Sequence, residues 1–335
     1  MMDEVYWRNK KVLVTGADGF IGSHLTEKLL EEGADVSIFI RSVSGTSGYR
    51  LKNLSHLEDR VNIIAGDISS SDSIKLIKES APDVIFHLAA MAYVTFSFDH
   101  PIEVMKVNVG GTLNVLEAAR ELSLKCIVIT SSSEVYGTAT TSSIDEDHPL
   151  NPTSPYAASK AAADRYAYSY WKTYGLPIAI IRPFNTYGPR HTYDVIPKFI
   201  RMVLEGKPPT IYGTGDQSRD FTYVSDMVRA FLCMGYSNKA IGEIVNFGTG
   251  KDIRIKELAY KIIEIAGADL EPTFISERKA EVDRLCCNYE KAKSLFGWEP
   301  QVSLDEGLRK NIEWCRKYWF GKSSINREDS SRLQT

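Results

Sequence analysis

The sequence predicts an α/β fold built on a doubly wound parallel sheet, with a smaller, discontinuous C-terminal α/β lobe. Short runs rich in β-branched residues alternate with helical stretches throughout the first half of the 335-residue chain. These runs are nearly continuously apolar, as strands covered on both faces must be. A glycine-rich turn joins the first run to the first helical stretch. Strand, helix and strand at this spacing favour parallel pairing through right-handed crossovers.

The first predicted strand is Lys11–Thr15, and the helix after it spans Ile21–Glu32 and ends at Gly33. The apolar pattern then predicts a series of further strands at Val36–Ile40, Val61–Ala65, Val84–Leu88, Cys126–Ser131 and Ile178–Ile181. After Pro183 the rhythm changes, and proline and glycine cluster at Lys207–Gly215. Glu243–Phe247 is predicted to be a strand that returns to the first sheet.

We therefore expect residues 1–182, with roughly 243–248, to form the first domain and 183–320 the second lobe. The polar segment 321–335 is predicted to be a disordered tail.

Composition points to a soluble, cytoplasmic protein. The net charge of −3 argues against nucleic-acid and anionic-membrane partners, and no apolar run is long enough to span a bilayer. The N-terminal segment lacks the apolar stretch of a secretory signal. The cysteines are odd in number and lack metal-ligand spacing, so we expect reduced thiols and no metal site; they are Cys126, Cys233, Cys286, Cys287 and Cys315.

The glycine turn indicates a dinucleotide site. The spacing Gly16-x-x-Gly19-x-x-Gly22 follows a strand and opens a helix. Such a turn lets the backbone approach a pyrophosphate, and the helix N-terminus presents free N–H groups to it. This is the Rossmann arrangement. We expect cofactor contacts from Gly16, Asp18, Gly19, Phe20, Ile21 and Gly22.

The end of the second strand governs the choice of cofactor, because an acidic residue there would bond the ribose 2′-hydroxyl. This chain has Arg41-Ser42 instead, and Asp35 comes too early. An arginine followed by a serine suits a 2′-phosphate, so NADP is predicted over NAD. Asp67 and Ile68, after the third strand, are expected to hold the adenine.

A catalytic pair is predicted at Tyr156 and Lys160, which are four residues apart and share one helix face. A nearby ammonium stabilises the phenolate and would lower the tyrosine pKa toward neutral pH. Upstream, the segment Thr130–Gly137 follows a strand that should end at the nicotinamide. With the glycine turn, these motifs resemble those of the extended short-chain dehydrogenases/reductases, in the nucleotide-sugar epimerase/dehydratase family.

The resemblance covers roughly residues 10 to 315 and implies further roles. It places Leu88, Ala89 and Ala90 at the cofactor, and Asn108 in the helix that follows. Tyr156 and Lys160 would also contact the cofactor, and Ser132 would assist Tyr156. Substrate contacts are implied for Val94, Ser97, Glu134, Asn185, Arg190, Arg219 and Arg278. Arg219 and Arg278 would grip the substrate diphosphate, which suits the bidentate geometry of arginine.

Glu134 favours a 4,6-dehydratase over the other members of the family. In sugar-nucleotide 4,6-dehydratases the corresponding glutamate removes the C5 proton, a step that epimerases do not need. The residue before it, Ser133, resembles the one found at this position in enzymes that act on GDP- or UDP-linked sugars more than the one found in enzymes that act on dTDP-glucose. A 4-epimerase and a UDP-glucuronate decarboxylase remain alternatives, although decarboxylases typically carry an acid where Arg41 stands. An NADP-binding regulator is the non-enzymatic alternative.

A homodimer is also predicted. Two helices, roughly Ile102–Leu122 and Tyr156–Tyr174, flank the catalytic strand in the implied fold. They carry small, apolar and aromatic residues at helical spacing, which suggests a four-helix interface between subunits: Val104, Val107, Gly111, Val115, Ala118, Ala158, Ala162, Tyr166 and Tyr170. Members of the resembled family commonly dimerise in this way.

Overall fold

The computed structural model describes residues 6–41 and 51–320. Ser42 and the predicted tail at 321–335 lie outside these ranges. The strands are β1 Lys11–Thr15, β2 Asp35–Arg41, β3 Asn62–Gly66, β4 Val84–His87, β5 Cys126–Thr130, β6 Ile178–Pro183, β7 Asn185–Tyr187, β8 Thr210–Tyr212, β9 Ser218–Tyr223, β10 Ile244–Phe247, β11 Asp252–Arg254, β12 Thr273–Ile275 and β13 Arg284–Leu285.

The α-helices are α1 Phe20–Glu31, α2 Asp72–Glu79, α3 Phe96–Asp99, α4 Pro101–Met105, α5 Gly111–Ala119, α6 Pro155–Tyr174, α7 Val195–Leu204, α8 Val224–Tyr236, α9 Ile255–Ala266, α10 Glu290–Phe296 and α11 Leu304–Cys315. Short 3₁₀ turns span Ser55–Arg60, Ser133–Tyr136 and Asn238–Ala240, and π-helical turns span Lys106–Gly110 and Arg316–Phe320. In the described ranges no helix is long and apolar enough to cross a membrane.

The central sheet has seven strands within the described chain, in the order β10-β6-β5-β4-β1-β2-β3. Every neighbouring pair in it is parallel. This confirms the predicted doubly wound α/β fold. The order reverses between β1 and β4, and at such a switch point the carboxyl ends of the strands form a crevice that can hold a ligand.

Apolar side chains cover both faces of the sheet. On one face Val12 and Val14 of β1 pack in a core with Leu25 of α1 and Phe231 of α8. On the other face Leu13 of β1 packs with residues of α2, α5 and α6. The alternation along β1 therefore sends consecutive side chains to opposite cores, and this explains why its sequence is apolar without interruption.

The C-terminal part contributes to both lobes. As predicted, β10 joins the central sheet by pairing with β6. Helix α8 lies within the range expected for the second lobe, yet it packs on the central sheet beside α1. Small sheets formed by β7, β9, β11 and β13 and by β8 and β12 build the rest, with α7, α9 and α11 around them.

The predicted helix Ile102–Leu122 is interrupted, which differs from the expectation. A π turn at Lys106–Gly110 separates α4 from α5, and α5 ends at Ala119. The turn presents Asn108, whose Oδ1 accepts the Met91 N–H at 2.7 Å and whose Nδ2 donates to Ser159 Oγ at 2.9 Å. Asn108 thereby joins the loop after β4 to the helix that bears Lys160.

Candidate active site

A cavity of about 890 Å³ opens at the carboxyl ends of the central strands and extends to the second lobe. Most of the residues predicted from the sequence line it, although they come from segments far apart in the chain. They are Gly16, Asp18, Gly19, Phe20, Ile21, Gly22, Arg41, Asp67, Ile68, Leu88, Ala89, Ala90, Val94, Ser132, Ser133, Glu134, Tyr156, Lys160, Asn185, Arg219 and Arg278. Predicted substrate residues Ser97 and Arg190 are absent from its wall.

The glycine turn packs so closely against the protein's own backbone that it leaves no room for a Cβ at two of its glycines. Gly16 has φ +68°, and a Cβ there would lie 2.8 Å from the Ala89 backbone N. A Cβ on Gly22 would lie 2.3 Å from the Gly16 carbonyl oxygen. Helix α1 begins after Gly19 without a side-chain cap, and Phe20 and Ile21 of its first turn line the cavity. The uncapped N-terminus fits the pyrophosphate of a nicotinamide dinucleotide.

Asp18 has a structural role in addition to its predicted place at the cofactor. Its carboxylate accepts the backbone N–H groups of Lys52 at 2.7 Å, Asn53 at 2.8 Å and Leu54 at 3.0 Å. The side chain therefore anchors the segment that follows β2 against the glycine turn. A carboxylate already bound to three donors is a poor ligand for a ribose hydroxyl. The sequence pattern gave no sign of this contact, since the partners are more than thirty residues away.

Arg41 and Asp67 stand where the adenosine end of a cofactor would lie. Arg41 ends β2, is exposed and lines the cavity. The Asp67 carboxylate accepts the Ser69 N–H at 2.9 Å, and this bond lowers the pKa of Asp67, with Arg41 and Lys106 adding to the effect. The two residues thus offer one cation and one anion at the same end of the cavity.

Helix α6 positions the tyrosine and the lysine. Ser154 caps the helix by accepting the Ala157 N–H at 3.1 Å, and Pro155 occupies its first turn. Tyr156 and Lys160 follow on one face, 8% and 6% exposed. The Lys160 ammonium donates to the Thr130 carbonyl at the end of β5.

Burial dominates the electrostatics of this pair. It lowers the pKa of Lys160 to about 8. Burial also raises the pKa of Tyr156, while a hydrogen bond with Ser132 acts in the opposite direction. A tyrosine that loses its proton here needs added positive charge, and the Lys160 ammonium and a bound oxidised nicotinamide would supply it.

Glu134 lies in the 3₁₀ turn Ser133–Tyr136, which Ser132 caps by accepting the Glu134 N–H at 3.2 Å. Burial raises the pKa of Glu134, whereas Arg219 and Arg278 lower it. A glutamate with a raised pKa is a stronger base than an ordinary carboxylate, so it is better suited to take a proton and return it. The arrangement therefore suits general acid–base chemistry.

The two arginines predicted to hold the diphosphate meet at one carboxylate. Arg219 Nη2 lies 2.7 Å from Glu281 Oε1, and Arg278 Nε lies 2.9 Å from Glu281 Oε2. All three residues line the cavity. Glu281 is not among the residues predicted from the sequence, although it lies three residues after Arg278, which is. It holds the two arginines together in the cavity wall, and Arg219 Nη1 also donates to the Ser218 carbonyl at 2.9 Å.

Among the predicted substrate residues, Asn185 lies in the cavity wall with its Oδ1 buried and without a partner. Ser97 and Arg190 differ from the expectation. Ser97 Oγ accepts the Tyr156 N–H at 3.1 Å, so it supports the catalytic helix. Arg190 is ion-paired with Glu27 at 2.6 Å, which directs it toward α1.

Several wall residues were missed. Tyr93 lies after β4, and a group before and within α7 faces it across the cavity: His191, Tyr193, Asp194 and Lys198. Tyr93 and Tyr193 meet edge to face with centroids 5.7 Å apart. The aromatic character of this segment was the available signal.

Comparison with known proteins agrees with this geometry. Residues 13–311 match the family model described as GDP-mannose 4,6 dehydratase. The chain belongs to this family. A dTDP-D-glucose 4,6-dehydratase from Bos taurus is 38% identical, over 92% of this chain and 89% of the relative. A putative UDP-glucose 4-epimerase from Methanocaldococcus jannaschii is 36% identical, over 91% of this chain and 98% of the relative.

The fold of this member of the GDP-mannose 4,6-dehydratase family also matches the folds of solved structures. The dTDP-glucose 4,6-dehydratase DesIV from Streptomyces venezuelae, solved with NAD and TYD bound, has a TM-score of 0.85 and 32% identity. The match covers 92% of this chain and 97% of that one. The family is one of nicotinamide-dependent enzymes that act on nucleotide sugars, and it includes both dehydratases and epimerases.

Proposed function

We propose that the protein is a nucleotide-sugar 4,6-dehydratase that converts an NDP-hexose to its 4-keto-6-deoxy derivative. The observation that carries the proposal is Glu134, a carboxylate of raised pKa in the cavity that also contains Tyr156 and Lys160. Epimerisation at C4 needs a tyrosine and a hydride acceptor. Elimination of water needs in addition a group that moves the C5 proton, and Glu134 supplies one.

The reaction divides among the residues as follows. Tyr156 removes the C4 hydroxyl proton, with Lys160 and the Ser132 hydroxyl supporting the phenolate. When bound, the nicotinamide would accept the C4 hydride and later return it to C6. The C4 ketone acidifies C5, and Glu134 takes the C5 proton. Water leaves from C6 with the proton that Glu134 took from C5, passed directly or through Ser133. As the hydride returns to C6, C5 regains a proton, which balances the one that Tyr156 removed from the C4 hydroxyl, so that the reaction is redox-neutral overall.

Substrate binding is assigned to the second lobe. Arg219 and Arg278 would bind the diphosphate and Asn185 would contact it, while Val94 would lie against the sugar. Ser133 before Glu134 favours a GDP- or UDP-linked sugar over a dTDP-linked one. Because the relatives are named for dTDP- and UDP-linked sugars, substrates with either nucleotide are included in the experiment below.

For the cofactor we propose NADP, because Arg41 offers a cation at the adenosine end and no acid replaces it. NAD is the second candidate, since DesIV was solved with NAD bound. Binding of both cofactors to the purified protein, measured by titration, distinguishes them.

The decisive experiment is incubation with a panel of GDP-, UDP- and dTDP-hexoses, followed by mass spectrometry of the products. Loss of one water supports the dehydratase. An unchanged mass with inverted C4 stereochemistry would identify an epimerase, the second candidate given the similarity to epimerases. Loss of CO₂ from a UDP-glucuronate substrate would identify a decarboxylase. Cofactor binding without turnover of any sugar would favour a regulatory protein.

A further inference from the structure

A network of buried polar side chains lies beneath the catalytic pair, and the mechanism above leaves it without a role. Each of its members is at most 3% exposed: Ser131, Tyr136, Asp164, Arg182 and Asn246. They come from the segments after β5, the 3₁₀ turn with Glu134, α6, β6 and β10. Burying this many polar groups is costly unless they bond to one another.

Asp164 is the centre of the network. Its Oδ2 accepts Ser131 Oγ at 2.8 Å and Arg182 Nε at 2.8 Å, and its Oδ1 accepts Arg165 Nε at 3.0 Å. Burial alone would raise the pKa of Asp164, but the ion pairs with Arg182 and Arg165 outweigh it and lower that pKa. The carboxylate therefore stays ionised in the interior.

From Arg182 the network continues through two further side chains to a backbone carbonyl. Arg182 Nη1 donates to the Tyr136 hydroxyl at 2.7 Å, and the guanidinium lies 4.8 Å from the centre of that ring. The Tyr136 hydroxyl donates to Asn246 Oδ1 at 2.7 Å, and Asn246 Nδ2 donates to the Ile144 carbonyl at 3.1 Å. These links join β10, β6 and the turn that bears Glu134 into one rigid unit.

Four of the five members lie within four residues of a residue of the proposed mechanism. The pairs are Ser131 with Ser132, Tyr136 with Glu134, Asp164 with Lys160, and Arg182 with Asn185. Asp164 follows Lys160 by four residues on α6, so the two side chains share one face of the helix.

We propose that Asp164 is a positioning residue whose buried charge keeps Lys160 in its ammonium form and whose bonds fix the strand end that carries Ser132. The inference rests on the proposed function, because it assumes that Lys160 acts on Tyr156. It concerns a residue outside the cavity wall.

The surroundings of Lys160 support this role. On its own helix Lys160 is faced by Tyr156 and by Asp164, and Asp164 acts to raise the lysine pKa against the effect of burial. From β4 it is faced by His87, whose pKa burial lowers to about 3, so that this imidazole is neutral at physiological pH. From β5 it meets the Thr130 carbonyl, which is uncharged. Among these groups Asp164 is the anion that acts on the buried ammonium, while it is also ion-paired with Arg182 and Arg165.

The test is Asp164→Asn, followed by the pH dependence of turnover. Loss of a neighbouring opposite charge shifts a pKa by about one to three units. The alkaline limb of kcat, which reports loss of the Lys160 proton, should move to lower pH by about one unit or more, with KM for the nucleotide sugar changed less than about threefold. Asp164→Glu keeps the negative charge, so its alkaline limb should lie close to the pH of the wild-type limb.

Asp226→Asn is the matched control. Asp226 is 1% exposed, accepts Arg229 Nη2 at 2.8 Å and lies on α8 outside the cavity wall. It should lower the thermal unfolding temperature and leave the alkaline limb in place. An Asp164→Asn limb that coincides with the wild-type limb overturns the proposal.

A lone Arg182 left buried in Asp164→Asn is destabilising, so the double variant Asp164→Asn/Arg182→Met removes both charges. It should fold with a limb between those of Asp164→Asn and the wild type, because loss of the Arg182 cation offsets part of the loss of the Asp164 anion. An undisplaced limb in both variants counts against the role.

A second readout needs no substrate and separates this proposal from the proposed function. Reductive ¹³C-methylation labels lysines, and Lys160→Arg identifies the Lys160 signal. That signal should titrate at lower pH in the Asp164 variants. Product masses from the sugar panel decide between dehydratase and epimerase, whereas the Lys160 titration decides the role of Asp164 in either case.

Discussion

Glu134 is the residue on which the proposed reaction depends. Because the amide of Glu134→Gln keeps the size and cannot take the C5 proton, turnover should fall about 10²–10⁴-fold. Cofactor affinity should stay unchanged. Glu146→Gln is the matched control: Glu146 also has a pKa raised by burial, but its Oε1 accepts the Asn246 N–H at 2.7 Å outside the cavity wall. A Glu134→Gln enzyme with more than about a tenth of wild-type turnover would contradict the assigned role.

The same residue sets the acid limb of the pH profile. Glu134 must be ionised to accept a proton, and burial raises its pKa, so dehydration should decline as pH falls through that raised value. The limb in kcat is therefore expected above the ordinary glutamate pKa of about 4.3. Steady-state rates between pH 4 and 9 measure it, with circular dichroism as a check that the fold persists. A limb at the ordinary value would show that Glu134 is not the group that titrates.

Arg41 should control the choice between the two cofactors. In Arg41→Asp an attraction for a 2′-phosphate becomes a repulsion, so NADP affinity should fall and the relative affinity for NAD should rise. Calorimetric titration of both cofactors measures this. Arg60→Asp, an exposed charge that does not line the cavity, should change neither affinity. Equal affinities of the unmutated protein for NAD and NADP would defeat the NADP proposal.

Among the elements, α6 depends on its N-cap. Ser154→Ala removes the bond to the Ala157 N–H and should lower the free energy of unfolding by about 1 kcal/mol. Tyr156 follows the cap by two residues, so activity should fall as well. Ser169→Ala is the control on the same helix, since its Oγ donates to the Tyr166 carbonyl and caps nothing. Denaturant titration compares the two variants, and equal losses would argue against the cap.

The strands and α6 could be predicted because their signals are local. Buried parallel strands need continuous apolar runs, and β1 was placed at its observed bounds. The π turn was missed because its cause, the bonding of Asn108 to Met91 and Ser159, joins segments that only the fold brings together.

The same reason limits the prediction of the site. Motifs located most of the cavity wall, but the partner of a side chain is not written in a motif. Asp18 was expected to contact the cofactor, and the motif did not reveal that its carboxylate also anchors Lys52 and its neighbours. Glu281 joins Arg278 to Arg219, and Arg219 lies sixty-two residues before Glu281 in the sequence. Such pairings follow from topology, which the spacing of glycines and tyrosines does not encode.

At the scale of the whole molecule, a dimer is predicted through α4, α5 and α6. Four residues named for this interface are instead buried within the protein: Val104, Gly111, Val115 and Ala118. Val115 and Ala118 of α5 pack in the core on one face of the sheet, and α4 packs against α6. Exposed apolar residues nonetheless mark the outer surface of the same helices. Ile102 is 76% exposed, Met105 51% and Tyr166 44%.

Sedimentation at micromolar concentration should therefore give a dimer mass. Tyr166→Glu would place charges in the interface and should yield monomers, whereas Tyr260→Glu, at a tyrosine 47% exposed on α9, should not. A monomer mass for the unmutated protein refutes the dimer, and a tetramer requires an additional contact.

The positions of α8 and β10 have a consequence for the order of folding during synthesis. A nascent chain that has emerged only as far as β6 holds six strands of the sheet, but β6 has an unpaired edge and the strands near it lack the cover of α8. Both are supplied only when the ribosome has passed Phe247. The cofactor-binding half is thus exposed to aggregation until much of the other lobe has been made. A gene cut after residue 182 should yield an insoluble product, and complementation by the separate C-terminal fragment should restore solubility.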